Sequence, residues 1–64
     1  IKYKNKKNNL TQQKYFLSVG RLTKQKNFSF LINAFSNFCE IYPDIILFII
    51  GEGEERRRLM NLIV

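Results

Sequence analysis

The 64-residue chain contains no histidine and a single cysteine, Cys39. Without a second thiol no disulfide can close within the chain, and without histidine or paired cysteines a zinc site is not credible. A lone cysteine among apolar positions at helical spacing is a packing residue, and an unpaired thiol fits a reducing compartment. No acidic residue precedes Glu40. The acids that follow, Glu40, Asp44, Glu52, Glu54 and Glu55, have no histidine or serine partner. No general acid–base pair or nucleophile constellation can be argued, and no residue is assigned a catalytic role. Long apolar runs are missing too. The longest, Ile45–Ile50, has six residues, against about 20 for a membrane-spanning helix. The basic N-terminus is not followed by the apolar stretch of a secretory signal.

What the chain has in excess is positive charge. The formal net charge is +6, and Lys2, Lys4, Lys6, Lys7, Lys14, Arg21, Lys24 and Lys26 all lie before the first acid. A basic half of this kind suits nucleic acid, an anionic membrane surface or a phosphorylated small molecule, or is a solvated surface. Residues 1–13 are polar, rich in Asn and Lys and without a period, which reads as a linker or irregular lead-in. That arm has one Tyr and no Arg, a poor endowment for stacking on bases or forked contacts to them, which argues against nucleic acid. Residues 14–64 then form a partial α/β domain. A chain of this size buries only about 60% of its unfolded surface. It begins at Ile1 and ends in the apolar run Leu62-Ile63-Val64, so a piece of a longer protein is expected.

The remainder reads as strand, helix, strand, helix. Lys14 to Val19 is nearly continuous in apolar character, as in a strand covered on both faces, and stops at Gly20, which permits a turn or a close approach. Phe28, Leu31, Ile32, Phe35, Phe38, Cys39 and Tyr42 mark one face of a helix over residues 28–42. Asn27 is placed to cap it and Pro43-Asp44 to end it. Ile45–Ile50 is the second strand, again with burial on both faces. Gly51-Glu52-Gly53 follows as a tight loop. Glu54 and Glu55 would open a second helix with acids in its first turn, with Leu59, Leu62 and Ile63 on one face. Strand–helix–strand at this spacing gives a parallel pair with a right-handed crossover, so both strands end at one sheet edge.

That edge gathers the residues that could hold a ligand. The loop after the first strand carries Arg21, Lys24 and Lys26 and no acid. It lies where open parallel sheets bind ligands, and the helix beyond it adds free N–H groups and a positive dipole end. Arg21 offers a fork of donors and Lys26 a compact charge, a pair suited to a diphosphate. As a leaving group, that diphosphate would have its developing charge stabilised by them. Gly20, Gly51 and Gly53 shape the pocket. Gly51-Glu52-Gly53 is not a dinucleotide fingerprint, because Arg56 stands where a third glycine would be required. Arg56, Arg57 and Arg58 read as a solvated helix face.

The order of these pieces resembles a known family. Val19-Gly20-Arg21-Leu22, Lys26 five residues after the arginine, Leu31-Ile32-Asn33-Ala34-Phe35, Tyr42-Pro43, Leu47-Phe48-Ile49-Ile50-Gly51-Glu52-Gly53 and Leu59 are similar to the start of the C-terminal domain of family 4, or group 1, glycosyltransferases. The resemblance covers about residues 15–63. It implies a Rossmann-like β-α-β-α unit from a GT-B fold and a nucleotide-sugar donor as substrate, with no cofactor or metal. Transfer would usually retain the anomeric configuration, onto a lipopolysaccharide, polysaccharide or glycolipid acceptor. Arg21 and Lys26 stand at the family's diphosphate-binding positions. The implied partners are the rest of the same domain and an N-terminal acceptor domain, and the implied setting is cytoplasmic, at the inner face of the membrane. Asn27 stands where the family often has glycine, and the later paired-glutamate motif is not in these 64 residues, so the chain alone is expected to be inactive. The rival expectations are a small basic module for nucleic acid or anionic membrane, and an inert truncated remnant.

Overall fold

The computed structural model describes residues 1–8 and 14–63. The elements run β1 (Lys2–Lys4), β2 (Lys14–Val19), a 3-10 turn (Lys24–Lys26), α1 (Phe28–Ile41), β3 (Ile45–Ile50) and α2 (Arg56–Leu62). The strands form one sheet in the order β1-β3-β2. β2 and β3 are parallel, in register from Lys14 opposite Ile45 to Val19 opposite Ile50. This is the expected βα crossover, with both strands ending at one edge.

β1 was not foreseen. Residues 1–13 read as irregular, yet Lys2–Lys4 pairs antiparallel with β3, Tyr3 lying opposite Leu47. The terminal ammonium and carbonyl of Ile1 bond the Ile49 carbonyl and N–H, both at 2.8 Å. Three residues show no period of their own. What fixes them is tertiary: the open edge of β3 supplies partners, and Tyr3 turns its ring edge-on to Phe35 at 5.1 Å. Residues 9–13 of the lead-in lie outside the described residues.

The core is one-sided. Tyr3, Leu47 and Ile49 meet Phe28, Ile32, Phe35 and Cys39 of α1 and Leu59 of α2. α1 follows the anticipated stripe, with Leu31 and Phe38 half-buried at its margin, and ends at Ile41 with Tyr42 as its C-cap. Burial of side chains such as Ile32 and Phe35 contributes on the order of 2 kcal/mol each. Leu62 and Ile63 are partly buried against the same core as Leu59, the face the spacing indicated.

The expectation of cover on both sheet faces fails for β2, whereas in β3 Ile46 is buried and Phe48 half-buried on the face opposite Leu47 and Ile49. Tyr15, Leu17 and Val19 are 55–70% exposed and Ile50 is 55% exposed. In the register these residues share the face that also carries Ile46 and Phe48, opposite the core face of Leu47 and Ile49. Both helices contribute to the core on the Leu47–Ile49 side. An apolar strand states that it belongs in a covered sheet; it does not supply the element that covers it. No helix among the described residues is long and apolar enough to cross a membrane.

Candidate functional site

The site is built where β2 and β3 end. The chains leaving the two strands do not diverge but stay paired. Gly20 N–H donates to the Ile50 carbonyl at 3.0 Å, and Leu22 N–H to the Glu52 carbonyl at 3.0 Å. Glu55 N–H donates back to the Leu22 carbonyl at 3.0 Å. The two loops that the parallel register was expected to bring together are thus bonded to each other.

The glycines permit this approach. A β-carbon on Gly51 would stand 1.8 Å from the Gly20 oxygen, and one on Gly53 2.4 Å from the Leu22 oxygen. No neighbour can yield, because both obstacles are backbone. Gly20 works differently. It has no positive φ, and its missing side chain leaves room for Phe28, whose Cζ would lie 3.3 Å from an added carbon.

Leu22 is fully buried and held at both its N–H and its carbonyl. Arg21, between the held residues Gly20 and Leu22, is exposed. The N–H of Thr23 donates to the Arg21 carbonyl at 2.9 Å, closing a tight turn around Leu22. The 3-10 turn then carries Lys24 and Lys26, both exposed, with Lys26 N–H donating to the Thr23 carbonyl at 3.2 Å. The loop therefore presents Arg21 and Lys26 outward while burying its one leucine.

Asn27 corrects the expected cap. It sits at φ 53°, ψ 44°, and its side chain makes no capping hydrogen bond. Its Oδ1 instead accepts from the Ser29 hydroxyl at 3.3 Å. The backbone turns left-handed between the 3-10 turn and α1, which Asn tolerates better than most residues. The first turn of α1 thus has no side-chain cap and no acid.

Glu54 and Glu55 also differ from expectation. α2 begins at Arg56, with Glu55 as its N-cap residue and no acid in the first turn. Glu55 Oε1 instead accepts from Arg58 Nε at 3.0 Å and Nη2 at 2.7 Å. These hydrogen bonds, helped by the charges of Arg58 and Lys24, hold the Glu55 carboxyl below the usual carboxylate range against the opposing effect of its burial. Arg56 and Arg57 are exposed as anticipated; together with Gly53 and Asn61 they line a recess beside the glycine loop. A separate open apolar groove, lined by Phe16, Leu31, Ala34 and Phe38, includes no residue of either loop.

Sequence reasoning missed Leu22 and Glu55. The signal for Leu22 was present, a single apolar residue inside an otherwise polar basic loop. For Glu55 there was only the (i, i+3) spacing to Arg58, common on helix surfaces.

The family model for group 1 glycosyl transferases matches residues 1–64. The chain belongs to the group 1 glycosyltransferases. It is 46% identical over 48 residues to an uncharacterized glycosyltransferase of Methanocaldococcus jannaschii, covering 75% of this chain and 12% of that protein. It is 42% identical over 51 residues to an uncharacterized glycosyltransferase of Haemophilus influenzae, covering 80% of this chain and 14% of that protein. The matched segment is therefore a small part of either relative's length. No solved structure matches the chain significantly. The mixed α/β fold with its parallel β2–β3 pair is that of a fragment of a group 1 glycosyltransferase domain.

Proposed function

We propose that this segment holds the diphosphate of a nucleotide-sugar donor, with Arg21 and Lys26 as its ligands. The observation that carries the reading is the pairing of the two loops. It fixes the backbone on both sides of Arg21 and leaves the guanidinium exposed. A guanidinium can fork two phosphate oxygens, and a lysine on the same short loop adds a point charge. The uncapped start of α1 contributes N–H groups and dipole of the same sign. Held there, a departing nucleoside diphosphate would have its new charge stabilised as the glycosidic bond to it breaks.

In this reading the whole protein transfers a sugar, with retention, to a polysaccharide, lipopolysaccharide or glycolipid acceptor bound by its other domain. It would do so in the cytoplasm, at the membrane face. Gly20, Gly51 and Gly53 shape the pocket wall, and this chain supplies no catalytic group and requires no metal or cofactor.

The test is a proton–nitrogen NMR titration of the chain with UDP, GDP and ADP at two salt concentrations. Shifts confined to residues 20–27, selective for one nucleotide and absent in Arg21→Ala, are expected. Shifts that ignore the base, fall steeply with salt and extend over Lys2, Lys4 and Arg56–Arg58 would overturn the reading in favour of polyanion binding.

A further inference from the structure

Among the described residues, the pair Glu55–Arg58 is the one ion pair, and the anion site gives it no part. Glu55 is only 7% exposed, although it lies at the start of a surface helix. A carboxylate so covered must be held by partners or it destabilises the fold. Arg58 holds it with two hydrogen bonds to one oxygen. The backbone of Glu55 points two ways. Its carbonyl accepts from the N–H of Leu59, at 2.9 Å, a residue sealed in the core. Its N–H donates to the carbonyl of Leu22. One residue thus joins the core, the first turn of α2 and the cationic loop, and it meets that loop next to Arg21.

A plain helix-start pair would steady α2 and nothing else. Here the residue being steadied also donates to Leu22, whose N–H is already held by the Glu52 carbonyl. Gly53 between them cannot accept a side chain without displacing Leu22. The loop is therefore fixed from three sides, and Glu55 is the residue of that arrangement whose side chain is itself clamped, by Arg58.

We propose that Glu55 is a positioning residue of the anion site: clamped by Arg58, it holds the Leu22 carbonyl and so fixes the backbone from which Arg21 projects. This rests on the reading of Arg21 as a donor-phosphate ligand and deepens it.

Amide hydrogen exchange on the 64-residue chain, compared among wild type, Glu55→Gln, Glu55→Ala and Arg58→Met, tests it. The reporters are the Leu22 and Glu55 amides, with interior α1 amides as reference. Protection at the two reporters is expected to fall about tenfold in Glu55→Ala and Arg58→Met, and about threefold in Glu55→Gln, while α1 changes little. Glu55→Gln keeps the side-chain volume and an acceptor oxygen, so a folded variant is retained even if Glu55→Ala unfolds. Reporter protection that falls only in step with α1 overturns the proposal. In a parallel titration with UDP, GDP and ADP, the folded Glu55 variants should bind the preferred nucleotide about threefold to tenfold more weakly, and unchanged affinity overturns the proposal. If wild type binds no nucleoside diphosphate, the anion reading falls and with it the positioning of a ligand site. The exchange comparison still decides whether Glu55 fixes the loop.

Discussion

The carbonyl of Leu22 and the α-carbon of Gly53 lie so close that a β-carbon on Gly53 would stand 2.4 Å from the Leu22 oxygen and 2.8 Å from the Leu22 nitrogen. Gly51 stands in the same relation to Gly20, more tightly still. Beyond the last rungs of the parallel pair the two backbones therefore run against each other, and the space between them has no room for a side chain. The cationic loop owes its position to this contact.

Gly51→Ala and Gly53→Ala should each destabilise the chain by at least about 2 kcal/mol, the upper part of the range for overpacked sites, because backbone cannot move aside as a side chain can. Gly20→Ala meets only the ring tip of Phe28 at 3.3 Å and should cost less than about 1 kcal/mol. Urea melts of the three variants check the order. Equal losses in all three would show that the loops separate without penalty.

Asn27 at φ 53° makes a second prediction. Asn27→Gly should be neutral or slightly stabilising, and Asn27→Val should cost about 1–2 kcal/mol, since a branched side chain opposes left-handed backbone. Thermal denaturation would show it. A side-chain cap predicts the reverse ranking for glycine, because glycine would forfeit the cap, but the Asn27 side chain makes no capping bond.

These residues also mark what could be read from sequence. The βαβ unit was legible because it is written in local periods: the helical stripe from Phe28 to Cys39 and the unbroken apolar run from Ile45 to Ile50. The glycine loop was legible as a turn, though the contact that requires its glycines was not. Lys2–Lys4 was invisible, because a strand this short is selected by the open edge beside it. The bare face of Tyr15, Leu17 and Val19 was misjudged for a related reason, since a hydrophobic pattern reports the need for cover. Arg21 and Lys26 were placed on the exposed loop by composition alone; Leu22 stood out there as the one apolar residue, but the long-range backbone bonds that join it to Glu52 and Glu55 leave no local trace.

Tyr3 is the anchor of β1. It is 6% exposed, and burial is the main reason its phenol titrates above the ordinary tyrosine value, with the Cys39 and Glu40 charges adding to it and the Ser36 hydrogen bond opposing. Tyr3→Ala should cost about 3 kcal/mol, as for other buried aromatics, and should free the Lys2–Lys4 segment. Loss of exchange protection at Ile49, whose N–H donates to Ile1, would register the release. A Tyr3→Phe variant should keep most of the stability, because the ring contact to Phe35 is retained.

The pH dependence of Glu55 has a definite sign. Its folded-state pKa is lowered, first by the Arg58 hydrogen bonds. A depressed carboxyl pKa contributes stability that is present above the unfolded value of roughly 4.3 and is lost as pH falls through the folded value. Melts of wild type should therefore drop below about pH 4 by more than melts of Glu55→Gln, which carries no titrating carboxyl there. Parallel curves for the two would remove Arg58 as the cause.

The two proposed ligands should separate binding from folding. Arg21 and Lys26 are exposed, and neither side chain makes a hydrogen bond or ion pair among those described. Arg21→Ala and Lys26→Ala should leave the melting temperature within about 2 °C of wild type, as surface changes do. Affinity for the preferred nucleoside diphosphate should fall about tenfold in each, the scale of one lost charge-assisted contact. Arg21→Lys is the sharper variant. It keeps the charge and loses the planar fork, so a guanidinium that grips two phosphate oxygens predicts most of the alanine loss, whereas a site that needs only positive charge predicts near-complete retention. Lys24→Ala serves as the comparison within the same turn, since Lys24 lies in the field of the Glu55 carboxylate. A loss at Lys24 equal to those at Arg21 and Lys26 would mean that the loop attracts anions by net charge, with no distinct phosphate ligands.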